Sequence, residues 1–173
     1  FPLFWLIAIR KQAIPKARWT SDGLGFGVVF GVVVSIAMLL LYHGLVADSE
    51  VGRSLQGKVL EKVSELGLNS KTAFLGLLVF YSACHSGLEE YYWRWFVFRG
   101  LKHRLGLGRA ILLSSLGFMA HHVLLLSFFF EDEVGLTLLF SLCVGVGGAV
   151  WAWLYHRNGN PWAIWLSHGL VDV

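Results

Sequence analysis

Residues 74–98 read FLGLLVFYSACHSGLEEYYWRWFVF, a run apolar enough to lie in a membrane but interrupted by two adjacent glutamates, Glu89 and Glu90, and by Arg94. On insertion scales an ionisable side chain at the centre of a membrane helix costs roughly 2.5–3.5 kcal/mol, so such groups are rare, usually paired and usually functional. Working outward, the later apolar runs carry His121, His122 and His168. The apolar residues point to the fold class, and the acid, imidazole and guanidinium groups point to chemistry inside it.

Composition supports the membrane reading. The chain has 173 residues, 56% hydrophobic and 14% charged, with a mean hydropathy of +0.64. A soluble domain carries about 25% charged residues. The apolar runs are continuous rather than alternating, which excludes a β-barrel pattern and leaves an all-α, polytopic transmembrane bundle. No polar stretch is long enough for a second domain, so residues 1–173 read as one membrane-embedded unit. The net charge of +3 comes from basic residues flanking apolar runs, a topological signal and not a nucleic-acid face. Cys84 and Cys143 lie in apolar runs without CxxC spacing, and read as small buried side chains.

A spanning helix needs about 20 mostly apolar residues. FPLFWLIAI at residues 1–9 is too short and reads as the end of an earlier helix. Phe1 in place of Met, and an apolar run still open at Asp172 and Val173, read as a chain cut at both ends. The first full span covers about Gly23 to Ala47, and its Gly23, Gly27 and Gly31 repeat every four residues, a stripe suited to close helix packing. Val51, Leu55, Val59, Leu60, Val63 and Leu66 recur at helical spacing and predict an amphipathic helix at the interface. Span two runs from about Thr72 into the Glu89–Arg94 region, span three from Ala110 to Phe130 and span four from Gly135 to Tyr155. Span five begins at Trp162.

Ten of the 14 Lys and Arg residues fall on one side of this topology; Arg53, Lys58, Lys62 and Lys71 fall on the other, with the acidic Glu131-Asp132-Glu133. The richer side is expected to be cytoplasmic. Glu89 and Glu90 then lie near the cytoplasmic end of span two, His122 near the middle of span three, and His168 about two turns into span five, depths that let them converge.

Glu90 and Arg94 are four apart with the acid first, the favourable order for an ion pair on one helix face. Glu89 points elsewhere on the helix, without an obvious local partner, and a desolvated carboxylate near histidines suits a general base acting on water. His122 follows Phe118 by four and shares its face. His121 points to another face, so at most one of the two is expected in the cluster. His168 and Asp172 again share a face, and Asp172 is placed to orient the imidazole or to help polarise a carbonyl.

Glu89-Glu90-x-x-x-Arg94, Phe118-x-x-x-His122 and His168-x-x-x-Asp172, in order on successive segments, resemble the CPBP family, which contains the type II CAAX prenyl proteases and bacteriocin-processing or immunity-associated proteins. The resemblance covers about Thr72 to the end. It implies an α-helical intramembrane endopeptidase without a cofactor, acting on a peptide or protein substrate, lipidated or not. By this resemblance Glu89 and His122 activate water, His168 and Asp172 form the oxyanion-stabilising side, and Glu90 with Arg94 gives structural support. Many prenyl-processing members have Asn where this chain has Asp172, and an ionised carboxylate cannot donate a hydrogen bond to an oxyanion. Two other readings use the same residues. One is a metallohydrolase built on Glu89, His122 and His168, although no HExxH motif is present. The other is a non-enzymatic immunity factor, scaffold or proton-coupled carrier, although no internal repeat is seen.

Overall fold

The computed structural model describes residues 20–130 and 133–172. The N-terminal apolar stretch, the basic segment after it, Glu131, Asp132 and Val173 lie outside the described residues. Among those described there is no strand, and the all-α expectation holds. Among the described residues three helices are long and apolar enough to cross a membrane: Leu24–Val46, Leu107–Phe129 and Val134–Asn158.

Helix α1 is regular over Leu24–Leu41 and ends in a π-wound turn, Tyr42–Val46, closed by an i to i+5 bond from Ala47 N–H to the Tyr42 carbonyl. Helix α2, Glu50–Glu65, starts at Ser49, whose hydroxyl accepts from Gly52 N–H at 3.0 Å. It is the expected amphipathic helix. Leu55, Val59 and Val63 line a groove of about 520 Å³ with Tyr42 and Phe74.

The run that carries the glutamates, α3, is helical from Lys71 to Leu105 but not uniformly wound. α-Helical Lys71–Val79 gives way to π-helical Phe80–His85; α-helical Ser86–Glu90 follows, then π-helical Tyr91–Phe98 and α-helical Arg99–Leu105. The acid pair therefore sits on a short α segment between two wider-wound ones, an irregularity frequent at functional sites. Gly106, at φ +78° and ψ 176°, ends the run in a backbone conformation that side chains with a Cβ rarely adopt. Helix α4 is Leu107–Phe129 and α5 is Val134–Asn158. After Gly159 at φ +62°, Asn160 caps α6, Pro161–Val171, accepting from Trp162 N–H at 3.1 Å. Pro161 takes the first helical position, where its missing N–H costs nothing. At 11 residues α6 is shorter than a full span.

Helices α4 and α5 pack along their lengths, as do α1 and α6, and α3 joins the two pairs. Lipid removes the usual hydrophobic drive between helices, so close van der Waals fit and hydrogen bonds must hold them. Gly27 and Gly31 supply that fit. A Cβ on either would come 2.5 Å from the Ala163 carbonyl oxygen or 2.7 Å from that of Ser167. Ser35 Oγ adds a bond to the Leu170 carbonyl at 2.7 Å, and the Asn160 amide bonds the Thr20 and Asp22 carbonyls at 2.8 and 2.9 Å. Gly23 departs from the expected stripe: it precedes the helix and lies against Asn158. Cys84 and Cys143 correct the sequence reading, because both are exposed free thiols on the outer faces of their helices. Each lies on a turn facing away from the packed core, which apolarity alone does not reveal.

Gly31→Val is expected to push α1 off α6, lowering stability by about 1–3 kcal/mol, the usual cost of overpacking. Thermal unfolding in detergent measures this, and Val33→Ile, on the exposed face of α1, should change nothing.

Candidate active site

The site is built around α3. Arg94 is almost wholly buried, and its Nη1 stands 3.1 Å from Glu90 Oε1. Its Nη2 donates to the Gly148 carbonyl of α5 at 3.3 Å. The guanidinium lies over the Phe118 ring at 4.5 Å and the Trp151 ring at 5.3 Å, which suits its planar, weakly hydrated charge. Gly148 makes room for it, since a Cβ there would come 2.9 Å from Phe118 and 3.2 Å from Arg94 Nη2.

The same Glu90 oxygen accepts from His168 Nδ1 at 2.7 Å. The His168 ring stacks on Trp151 with centroids 4.2 Å apart and 21° between planes, and meets Phe118 edge-on at 5.9 Å. Trp151 is itself fixed by donating to Ser167 Oγ at 3.0 Å. Glu90, expected as structural support for Arg94, thus also orients His168. Asp172 does not take that role: its Oδ1 is 3.7 Å from His168 Nε2, beyond hydrogen-bond length.

Glu89, one residue earlier, has looser contacts. Oε2 is 3.6 Å from His168 Nε2, and Oε1 is 3.4 Å from His121 Nε2 and 4.0 Å from His85 Nε2. Two expectations change here. Glu89 has a partner one turn back on its own helix, His85. His121 also reaches it, from the neighbouring helix α4.

His122 is present as well, within electrostatic reach of Glu89, His121 and His168. Its Nδ1 is 3.0 Å from the Phe118 carbonyl. A carbonyl only accepts, so Nδ1 carries the proton, and in the neutral ring Nε2 keeps its lone pair. The Phe118-x-x-x-His122 spacing is what places that carbonyl four residues before the ring.

The structure therefore brings Glu89, Glu90, Arg94, His122, His168 and Asp172 into one cluster drawn from α3, α4 and α6. His85, Gly148 and Trp151 belong to it and were not foreseen. His85 stands four residues before Glu89, a spacing that was readable. Among the described residues no group of three His, Cys, Asp or Glu side chains is arranged to hold a metal ion.

Paired glutamates and histidines from three segments thus meet within a bundle that holds helices of membrane length. A model of the family described as Type II CAAX prenyl endopeptidase Rce1-like matches residues 71–173, from the first residue of α3 to the end of the chain. This is more than half of the sequence, and the chain belongs to that family. Membership indicates a CAAX-protease-type membrane enzyme. No curated protein and no solved structure matches the chain.

Arg94→Met leaves the Glu90 carboxylate buried without its counter-charge and is expected to cost about 3–5 kcal/mol. Denaturant unfolding in detergent reads this. Adding Glu90→Gln to Arg94→Met should recover part of the loss, because it removes the orphaned charge.

Proposed function

We propose that the protein is a glutamate-type intramembrane endopeptidase that hydrolyses a peptide bond with a water activated by Glu89 and His122. The observation that carries this reading is the contrast between neighbouring carboxylates. Glu90 is committed to Arg94 and His168 at 3.1 and 2.7 Å, whereas Glu89 has only contacts of 3.4 Å and longer. An acid held in place yet not tied up is what a general base requires.

The geometry supports the following steps. A water lies between Glu89 and the Nε2 lone pair of His122. Glu89 takes its proton as the oxygen adds to the substrate carbonyl. The charge that develops on the carbonyl oxygen is met by His168 as the doubly protonated imidazolium, whose Nδ1–H is held by Glu90 and whose Nε2–H faces the same space, with the ring stacked on Trp151. Asp172, as a carboxylate, contributes no donor when ionised; its part is to border the pocket beside His168. The amine product leaves as the C–N bond breaks and its nitrogen takes up a proton. The chain orients with its Lys- and Arg-rich loops in the cytoplasm, which puts the site in the cytoplasmic half of the membrane. The substrate is a peptide or protein segment arriving from the cytoplasm or laterally from the lipid.

Glu89→Gln and His122→Ala are each expected to reduce cleavage of a peptide library in detergent by roughly 10²–10⁴-fold, with the melting temperature unchanged. Near-normal cleavage by purified Glu89→Gln protein would end this reading. Running the same library with and without a prenylated C-terminal Cys shows whether the lipid is recognised.

Activity is expected to survive chelator treatment. Loss on chelation, reversed by added zinc, would move the mechanism to a metal-activated water.

A further inference from the structure

Two of the side chains closest to Glu89 have no part in the scheme above. His121 comes from the middle of α4 and His85 from the first π-wound segment of α3, and both direct Nε2 at the same oxygen, Glu89 Oε1. Their side chains are 50% and 36% exposed, against 10% for Glu89. An imidazole facing hydrocarbon at mid-membrane depth is unfavourable, and ionisable groups there line water-filled cavities or the bundle interior. The two rings therefore mark the wet mouth of the site. Each is backed by another ring: Tyr81 against His85 with centroids 4.9 Å apart, and His122 edge-on to His121 at 5.2 Å.

The Glu89 carboxylate is thus divided between two environments. Oε2 faces inward to the buried His168, which is hydrogen-bonded to Glu90 and through it to Arg94. Oε1 faces outward to imidazoles that touch the aqueous mouth. On the inner side Glu90, Arg94 and His168 are almost completely buried, and beyond them only Asp172, 23% exposed, lies toward the surface. The outer side offers two more exposed imidazoles in direct reach of the carboxylate.

We propose that His121, seconded by His85, relays the proton between Glu89 Oε1 and the water in the mouth, so that the base is reset in each turnover. The proposal rests on the hydrolase reading above. In the first step a water O–H bond breaks, its proton goes to Glu89, a C–O bond forms at the substrate carbonyl carbon, and the carbonyl π pair becomes the oxyanion. The lone pair on His121 Nε2 then takes the proton from Oε1, restoring the carboxylate. The imidazolium passes a proton to water in the mouth, from which the leaving nitrogen is protonated as the C–N bond breaks and the C=O bond re-forms. Water and a peptide bond give a carboxylic acid and an amine, with Glu89 and His121 returned to their starting states. His121 acts through Glu89 and is a positioning residue. The groups that face it or lie behind its partner are Glu89, His85, Glu90 and Arg94 of α3, His122 of its own helix, and His168 and Asp172 of α6, and a pH profile reports on them together.

The test uses the full chain in detergent with a quenched fluorescent peptide that the wild type cleaves. His121→Ala is expected to lower kcat by roughly 100-fold with KM unchanged, to keep the wild-type melting temperature, and to recover activity on addition of free imidazole. His121→Gln spans a similar reach and donates a hydrogen bond but carries no proton; it is expected to stay as slow as His121→Ala and to lose one limb of the pH–kcat profile. His85→Ala/His121→Ala should be slower than either single variant. Wild-type kcat in His121→Gln would show that a hydrogen bond is all the position provides and would overturn the relay, as would full activity in His121→Ala. A wild type that cleaves no peptide overturns the hydrolase reading and the relay with it; a cleaving wild type matched by every variant overturns the relay alone.

Discussion

One oxygen atom, Glu90 Oε1, organises the packed centre of this protein. It stands 3.1 Å from Arg94 Nη1 and 2.7 Å from His168 Nδ1, and Arg94 continues to the Gly148 carbonyl. These contacts join α3, α5 and α6 at a single depth. Taking a carboxylate and a guanidinium out of water costs several kcal/mol per ion, a cost offset only when geometry is good and the remaining donors are used. Hydrocarbon offers no substitute partners, so helices that rotate or slide leave charges stranded. The ion pair thus acts less as glue than as a selector of one helix arrangement, with Phe118 and Trp151 closing over the guanidinium to keep water out.

That arrangement separates two chemically identical neighbours. Glu90 makes two short contacts through Oε1, to Arg94 and to His168, in a buried setting where they cannot be exchanged cheaply. Glu89 lies among imidazoles on both of its oxygens at 3.4 Å and longer, contacts loose enough to be exchanged for a water or a substrate atom. Carboxylates whose surroundings differ this much take different roles. His168 touches both, at Nδ1 and Nε2, and its stacking on Trp151 holds it in that bridging pose.

Much of this was readable from residue order. Length and continuity of the apolar runs gave the helices, and i,i+4 spacing gave the Glu90–Arg94 pair, because both rest on local geometry. The Gly27 and Gly31 contacts followed from the same periodicity. The contact between His121 and Glu89 did not, because which of two adjacent histidines reaches a carboxylate on another helix depends on how the two helices are rotated against each other. Spacing alone offered Asp172 as one that could orient His168 or help polarise a carbonyl; the carboxylate that bonds the ring, Glu90, comes from another helix, and no local rule reaches across 78 positions. The Trp151 stack was hidden among eight tryptophans, and Gly148 among the other glycines of α5.

The π-wound segments on either side of Ser86–Glu90 carry a further implication. Each alters the angular phase of everything beyond it, and a single residue added or removed in an α-helix turns the downstream face by about 100°. Here Tyr81 and His85 come before the acids, and Trp93, Arg94 and Phe98 after them, and all of these meet neighbours or core at fixed bearings. Substitutions can be absorbed along this stretch, but its residue count cannot change without swinging one half of the site toward lipid. Between Phe80 and Phe98 the chain is constrained in length as firmly as in chemistry.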